Sequence, residues 1–234
     1  MVPFHQSVTT MTIMKAATAL LILLSTTSAS AWIHCPYQRA KRAAPLRSFD
    51  FGSAYEWDRY YRTSEAVNEE WHATMDLQTI VDLVSDDVEA GLLIGCGYSR
   101  LPKLLKPTQK WILLDSSKQC ISDLSTIYHD SPNIECLCAD VTNLPEDLRV
   151  DVILDKGLLD ALLCSEGWDG PVSKLMCGAG RALNDKGEYL LVSYPLPSTT
   201  KDFLFDASDE LEWEFKLEGS TDRVSLSRAR KAAK

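Results

Sequence analysis

Residues 91–105 read GLLIGCGYSRLPKLL, an apolar run that ends at two glycines one residue apart, Gly95 and Gly97. A strand that enters a glycine turn and then a helix is how α/β proteins bring backbone close to a ligand. Acidic residues follow at intervals. Asp115 closes WILLD, 20 residues after Gly95, where a carboxylate usually takes ribose hydroxyls. Asp140 closes IECLCAD, where it can accept from an exocyclic amine such as that of adenine. A dinucleotide turn needs a third glycine, but that position holds Arg100, which counts against NAD and FAD. Carboxylates beside the glycines suit phosphates poorly. A ligand with an adenosine half, no phosphate and a positive charge fits the set.

These residues need a frame, and the periodicity supplies one. Short, almost wholly apolar runs at 91–95, 111–115, 134–140, 151–155 and 187–194 read as strands, alternating with helical patterns at 99–106, 116–130 and 170–184. Upstream, 56–84 reads mostly as helix with a break near Asn68. Strands apolar on both faces imply a parallel sheet covered by helices on both sides. At the end, 211–219 and 223–231 flank Ser220-Thr221-Asp222 as an antiparallel hairpin. The expected architecture is α/β: a doubly wound, Rossmann-like, mostly parallel seven-stranded sheet with a C-terminal antiparallel hairpin.

The segments GCGYSRL, LLDSS, CADVTNLP and DVILDKGLLDAL occur in that order. Together they resemble the motifs of class I methyltransferases that use S-adenosylmethionine. DKGLLDALLC resembles a signature of the methyltransferase-like group that includes lysine methyltransferases of translation elongation factor 1-alpha. So does FGSAYEWDRYYRTSEAVNEEW, residues 51–71. The resemblance spans roughly residues 51–200. It implies S-adenosylmethionine as cofactor and transfer of its methyl group to a protein lysine or other amine by in-line displacement.

Carried over by position, Trp57, Tyr61 and Trp71 would close over the cofactor, with Gly95 and Gly97 in the turn beneath its methionine part. Asp115 and Ser116 would hold the ribose, Asp140 and Val141 the adenine, and Lys156 would belong to the loop after strand four. Asp155 and Asp160 are the catalytic candidates, able to orient an ammonium and pass its proton to water; Asp160 and Trp168 are candidate substrate contacts. Two departures stand out: Leu158 occupies a position where the group has threonine, and the stretch from Trp57 to Trp71 is one residue short. A small-molecule methyltransferase and a non-catalytic cofactor-binding module remain alternatives.

Plainer roles exist for the same residues. Trp57, Tyr61 and Trp71 share one face of an ideal helix, as core aromatics do. Asp115, followed by Ser116-Ser117, could cap a helix, and Asp140 could close a turn. Lys156 could merely pair with Asp155 or Asp160. Cys96 and Cys164 lack a nearby histidine and read as structural thiols. The seven cysteines form no CxxC, and the four histidines lack ligand spacing, so no metal is expected.

Charge is uneven. Of 24 Lys and Arg, five lie in residues 1–49, which hold no acid, so 19 bases face 33 acids in the remainder, a net charge of about −14. Such a body disfavours nucleic acid as a partner and suits a basic protein acceptor, for example a translation-related one, or a small molecule. Residues 1–49 read as a cleavable targeting presequence, and 50–234 as the methyltransferase domain. Lys15, the apolar core 16–24 and Ala29-Ser30-Ala31 form a signal peptide of about 31 residues, too short in its apolar part to span a bilayer. The basic stretch 32–49 is transit-like. The junction Ala29-Ser30-Ala31-Trp32 resembles the two-part plastid presequences of algae with secondary plastids, so a plastid is the expected destination, with secretion or the endomembrane lumen as the alternative. No membrane span is expected after processing.

Overall fold

The computed structural model describes residues 49–63 and 70–233. The expected targeting segments therefore lie outside the described residues, apart from Phe49. Seven strands form one sheet: β1 (Ala90–Ile94), β2 (Lys110–Asp115), β3 (Ile134–Cys138), β4 (Val150–Lys156), β5 (Leu183–Ser193), β6 (Leu211–Phe215) and β7 (Ser225–Lys231). Their order is β3-β2-β1-β4-β5-β7-β6. The first five are mutually parallel, and β7 runs antiparallel to both β5 and β6. Six strands thus point one way and β7 alone opposes them. The order reverses between β1 and β4, where an open α/β sheet leaves a crevice beyond the carboxyl ends of its strands.

Six α-helices are described: α1 (Ala54–Tyr61), α2 (Leu77–Val81), α3 (Lys118–Ile127), α4 (Leu158–Leu163), α5 (Asp169–Ala182) and α6 (Ser198–Asp206). The continuous apolar strands feed two cores because successive side chains alternate faces. Leu92 and Ile94 enter one core with Val172, Leu175 and Met176 of α5 and Leu204 of α6. Leu93 enters the other with Ile80 of α2 and Ile121 and Leu124 of α3. Each such fully buried aliphatic side chain contributes roughly 1.5–3 kcal/mol by leaving water.

Several elements differ from expectation. The helical reading of 56–84 yields only α1 and α2, and the expected break near Asn68 lies outside the described residues. Between the two helices, residues 71–75 form turns, with His72 in the left-handed region at φ 58°. Residues 99–106 make a single 3-10 turn, Leu101–Lys103, with Pro102 inside it; a residue without an N–H extends a helix poorly. Strand β3 ends at Cys138, and Asp140 caps a second 3-10 turn, Val141–Asn143. The hairpin arms are shorter than expected, with 216–224 between them, and β7 inserts between β5 and β6. Helices α4 and α6 were not expected. Cys96, Cys120, Cys136, Cys138 and Cys177 are free thiols, whereas Cys164 is disulfide-bonded, against the expectation of structural thiols.

Candidate functional site

The turn after β1 demands its glycines. Gly95 and Gly97 have φ of 54° and 46°, where a side chain is strained. Space is short as well: a Cβ on Gly95 would lie 2.8 Å from Leu158 Cβ, and one on Gly97 would lie 2.7 Å from Tyr61 Oη. The Gly97 amide donates to Asp115 Oδ2 at 3.0 Å, and the Ser117 amide donates to Oδ1 at 2.9 Å. Burial raises the Asp115 carboxyl above its ordinary range, opposed by the amides of Ser117, Gly97 and Ser116. Capping of α3 falls to Ser117, whose Oγ accepts from the Cys120 amide. Asp115 therefore faces the turn and is not the cap of α3.

Turn, strand ends and N-terminal segment enclose a cleft of about 270 Å³ at the switch point. All ten residues nominated for the cofactor line it: Trp57, Tyr61, Trp71, Gly95, Gly97, Asp115, Ser116, Asp140, Val141 and Lys156. Asp140 also closes a local turn, accepting from the Thr142 amide at 2.8 Å. Its turn role and its place at the cleft coexist.

Trp71 does not share a helix with Trp57 and Tyr61, yet the three still meet. Trp57 stacks on Tyr61 with centroids 5.9 Å apart and meets Trp71 at 5.8 Å. Trp57 Nε1 donates to Phe51 O at 2.8 Å. Burial pushes the Tyr61 phenol well above its ordinary pKa.

Two carboxylates that the sequence reading passed over moor this roof. Asp58 on α1 accepts from the Gln119 amide at 2.8 Å and Ser117 Oγ at 2.9 Å, joining α1 to the start of α3. The hydrogen bond from Arg62 and then that from Gln119 hold its carboxyl down at about 2. Glu70 accepts Lys156 Nζ at 2.6 Å, Arg100 N at 2.8 Å and Ser99 Oγ at 2.9 Å. Both side chains of the Glu70–Lys156 pair are almost fully buried, at 7% and 5% exposure. Burial raises Glu70, but Lys156 and the Arg100 amide outweigh it and the net shift is downward. Burial lowers Lys156, with Glu70 opposing. Lys156 also donates to Trp71 O at 3.1 Å. Its partner is thus Glu70, not Asp155 or Asp160. The clue in the sequence was an acid beside each tryptophan, Trp57-Asp58 and Glu70-Trp71.

The residues nominated for chemistry lie behind the cleft wall. Asp155 is fully buried and accepts the Leu158 amide at 2.9 Å, the Leu159 amide at 3.1 Å and Tyr189 Oη at 2.6 Å. Burial pushes its carboxyl up to about 7. Asp160, also buried, accepts from His72 Nε2 at 2.8 Å and the Tyr194 amide at 3.2 Å. Burial raises it, with the His72 hydrogen bond opposing. Neither carboxylate is among the residues lining the cleft, and backbone amides and buried side chains occupy their oxygens. His72 is buried, stands edge-on to Tyr194 at 4.8 Å, and has no partner for Nδ1 among the described residues. Trp168 packs edge-on against Phe203 at 4.8 Å and does not line the cleft.

A seven-strand sheet in this order, with a glycine turn after β1, a carboxylate ending β2 and an aromatic-roofed cleft at the switch point, defines the class I fold of S-adenosylmethionine-dependent methyltransferases. In sequence the chain is similar to the eEF1A lysine and N-terminal methyltransferase of Mus musculus, at 29% identity over 195 residues, covering 80% of this chain and 28% of that protein. The Homo sapiens protein of the same name is 29% identical over 156 residues, covering 64% and 22%. The chain thus spans about a quarter of the length of the curated relatives it matches. No family model matches it. Among solved structures, it resembles the N-methyltransferase NodS of Bradyrhizobium japonicum with bound S-adenosylhomocysteine, at a TM-score of 0.57 and 16% identity, covering 77% of this chain and 99% of that one. The 1,6-didemethyltoxoflavin-N1-methyltransferase of Burkholderia thailandensis gives a TM-score of 0.58 at 12% identity, covering 77% and 87%. The chain therefore has the class I S-adenosylmethionine-dependent methyltransferase fold and is similar in sequence to methyltransferases of that class. No helix of the described residues is long and apolar enough to cross a membrane.

Proposed function

We propose that this chain transfers the methyl group of S-adenosylmethionine to a protein lysine or another amine. The observation that carries this reading is the convergence on one cleft, beneath an aromatic roof, of the ten residues that the motif resemblance nominates. Asp115 and Ser116 take the ribose hydroxyls, and Asp140 and Val141 hold the adenine. The Gly95–Gly97 turn lies under the methionine part, and Trp57, Tyr61 and Trp71 cover it. The sulfonium carbon is electrophilic by itself, so the protein's task is to align donor and acceptor in line and keep water out. Asp155 and Asp160 act from behind the wall. Asp155 fixes the Leu158 backbone, and Leu158 sits against Gly95; Asp160 holds His72, the neighbour of Trp71.

The similarity to eEF1A lysine methyltransferases and the acidity of the body favour a basic protein acceptor. A small molecule is the second reading, favoured by the structural likeness to an enzyme acting on 1,6-didemethyltoxoflavin. Titration calorimetry with S-adenosylmethionine, S-adenosylhomocysteine and NAD tests the cofactor: micromolar binding of the first two without NAD is expected, and binding of NAD alone refutes the reading. Labelled methyl transfer into basic proteins against a metabolite pool then separates the acceptors. Cofactor binding with transfer to neither would leave a non-catalytic binding module. Residues 1–49 are read as a plastid-directing presequence. A fluorescent reporter fused behind them should enter the plastid, and secretion of the reporter would overturn that address.

A further inference from the structure

Beneath the cofactor turn lies a cluster that methyl transfer does not use. Cys96 stands between the two positive-φ glycines and lines the cleft, as does Asp115. Cys120, in the first turn of α3, lies behind them and is fully buried. One ligand atom from each of the three, two sulfurs and a carboxylate oxygen, lies within 4.8 Å of the others. Donors around a tetrahedral zinc with sulfur at ~2.3 Å sit roughly 3.5–4 Å apart, so the three need to close by no more than about 1.3 Å to share an ion. Their backbone is held nearly in place: the Cys96 amide donates to Leu114 O, and the Cys120 amide donates to Ser117 Oγ. The cleft supplies an entry path.

From this geometry we infer that Cys96, Asp115 and Cys120 bind one soft, thiophilic d10 cation, such as zinc or cadmium, in the cofactor-free protein, and that ion and cofactor exclude each other. Thiolates select such ions over magnesium or calcium. An ordinary cysteine is mostly a neutral thiol at neutral pH, and the thiolate is the form that binds a metal. Binding a divalent ion forms two metal–sulfur bonds and releases two protons to solvent. With Asp115 ionised, the cluster carries a single negative charge before binding and the same after it. The ion therefore adds no net charge to a buried place, which removes the largest obstacle to burying it. Exclusion follows because an Asp115 oxygen turned to the ion leaves the ribose position, and an ion beside Cys96 stands where the cleft passes the glycine turn. This exclusion rests on the cofactor reading above; binding of the ion does not.

The test uses the full chain, kept reduced with a phosphine, and cadmium as the probe. One equivalent should raise the thiolate-to-cadmium charge-transfer absorption and release two protons per ion. Both signals should vanish in Cys120→Ser and persist in Cys138→Ser, which removes an exposed thiol. Saturating cadmium should weaken S-adenosylhomocysteine binding about tenfold or more by mass action, with no such loss in Cys120→Ser. Absence of the band at one equivalent, or its survival in Cys120→Ser, overturns the site. Should Cys120→Ser fail to fold, Cys96→Ser serves for the band. Cadmium bound with unchanged cofactor affinity overturns the exclusion. A chain that binds cadmium at this pair but no S-adenosylhomocysteine keeps the metal site and loses the cofactor reading.

Discussion

Replacing Glu70 by glutamine is nearly isosteric, yet it strips the buried Lys156 ammonium of its counter-charge. Removing one partner of a buried ion pair typically costs ~3–5 kcal/mol, because the other is left uncompensated. Here the structure sets a ceiling. Lys156 retains Trp71 O as an acceptor at 3.1 Å and can escape its predicament by shedding its proton. From an ordinary lysine value of about 10.4, deprotonation at pH 7 costs roughly 4.6 kcal/mol, and at pH 9 only about 1.9 kcal/mol. The destabilisation in Glu70→Gln should therefore approach ~3–4 kcal/mol at pH 7, a fall in melting temperature of about 10 °C for a domain of this size, and shrink as pH rises to 9. Lys156→Met in the same background should restore part of the loss, making the double variant more stable than Glu70→Gln alone by about 1–3 kcal/mol. Urea unfolding at both pH values measures this. A cost independent of pH, or a double variant whose losses simply add, would refute a charged, buried pair.

Three further outcomes follow from the same geometry. Asp115→Ala removes hydrogen bonds to an ionised group worth about 1.5–3 kcal/mol each, so calorimetry should show cofactor affinity lower by roughly 10–150-fold. Asp58 has a depressed carboxyl, so its contribution is complete above the ordinary carboxylate range and is lost as pH falls toward about 2. The emission of Trp57 should report release of α1 over that window, and Asp58→Asn should show the released signal already at neutral pH. Asp155 has a raised carboxyl, so its contribution is complete below about 4 and is lost as pH rises through about 7. The decline in stability from pH 5 to 8 should flatten in Asp155→Asn, as measured by denaturant unfolding.

What the sequence disclosed was what repeats at short range. Leu92, Leu93 and Ile94 needed two covered faces, and that alone demanded the parallel sheet; Asp115 followed as the acid at the next strand's end. Glu70, Asp58 and His72 escaped because their partners are far along the chain: His72 and Asp160 are 88 residues apart. The helical period also misled. It put Trp71 on the helix of Trp57 and Tyr61, whereas Trp71 arrives on an irregular segment and is moored by its neighbour Glu70. Such a mooring shows in no periodicity, since a turn residue is fixed by whatever tertiary partner receives it. Asp155 and Asp160 were overrated for a related reason. An acid at a strand end resembles a catalytic group in sequence, but only the fold shows that the start of α4 and the Tyr194 amide have taken its oxygens.

That placement bears on how an amine acceptor would lose its proton. Deprotonating an ordinary lysine at pH 7 costs roughly 4–5 kcal/mol. Along the cleft wall, Asp115 is engaged with two amides, and Lys156 is itself a cation tied to Glu70. Desolvation is a means the cleft offers: aromatic faces and excluded water favour the neutral amine, whose proton leaves to solvent at the cleft mouth. On the function proposed above, Asp160 acts through position. Through His72 it holds the strained turn that carries Trp71, and His72 itself cannot relax without surrendering that turn. Asp160→Asn should accordingly lower turnover about tenfold, as a small misplacement of a reacting geometry does, while the pH at half-maximal rate stays that of the parent. Rates measured from pH 6 to 10 on both proteins decide the matter. An inflection that disappears or moves in Asp160→Asn would make Asp160 the proton acceptor, and the positioning role would have to be abandoned.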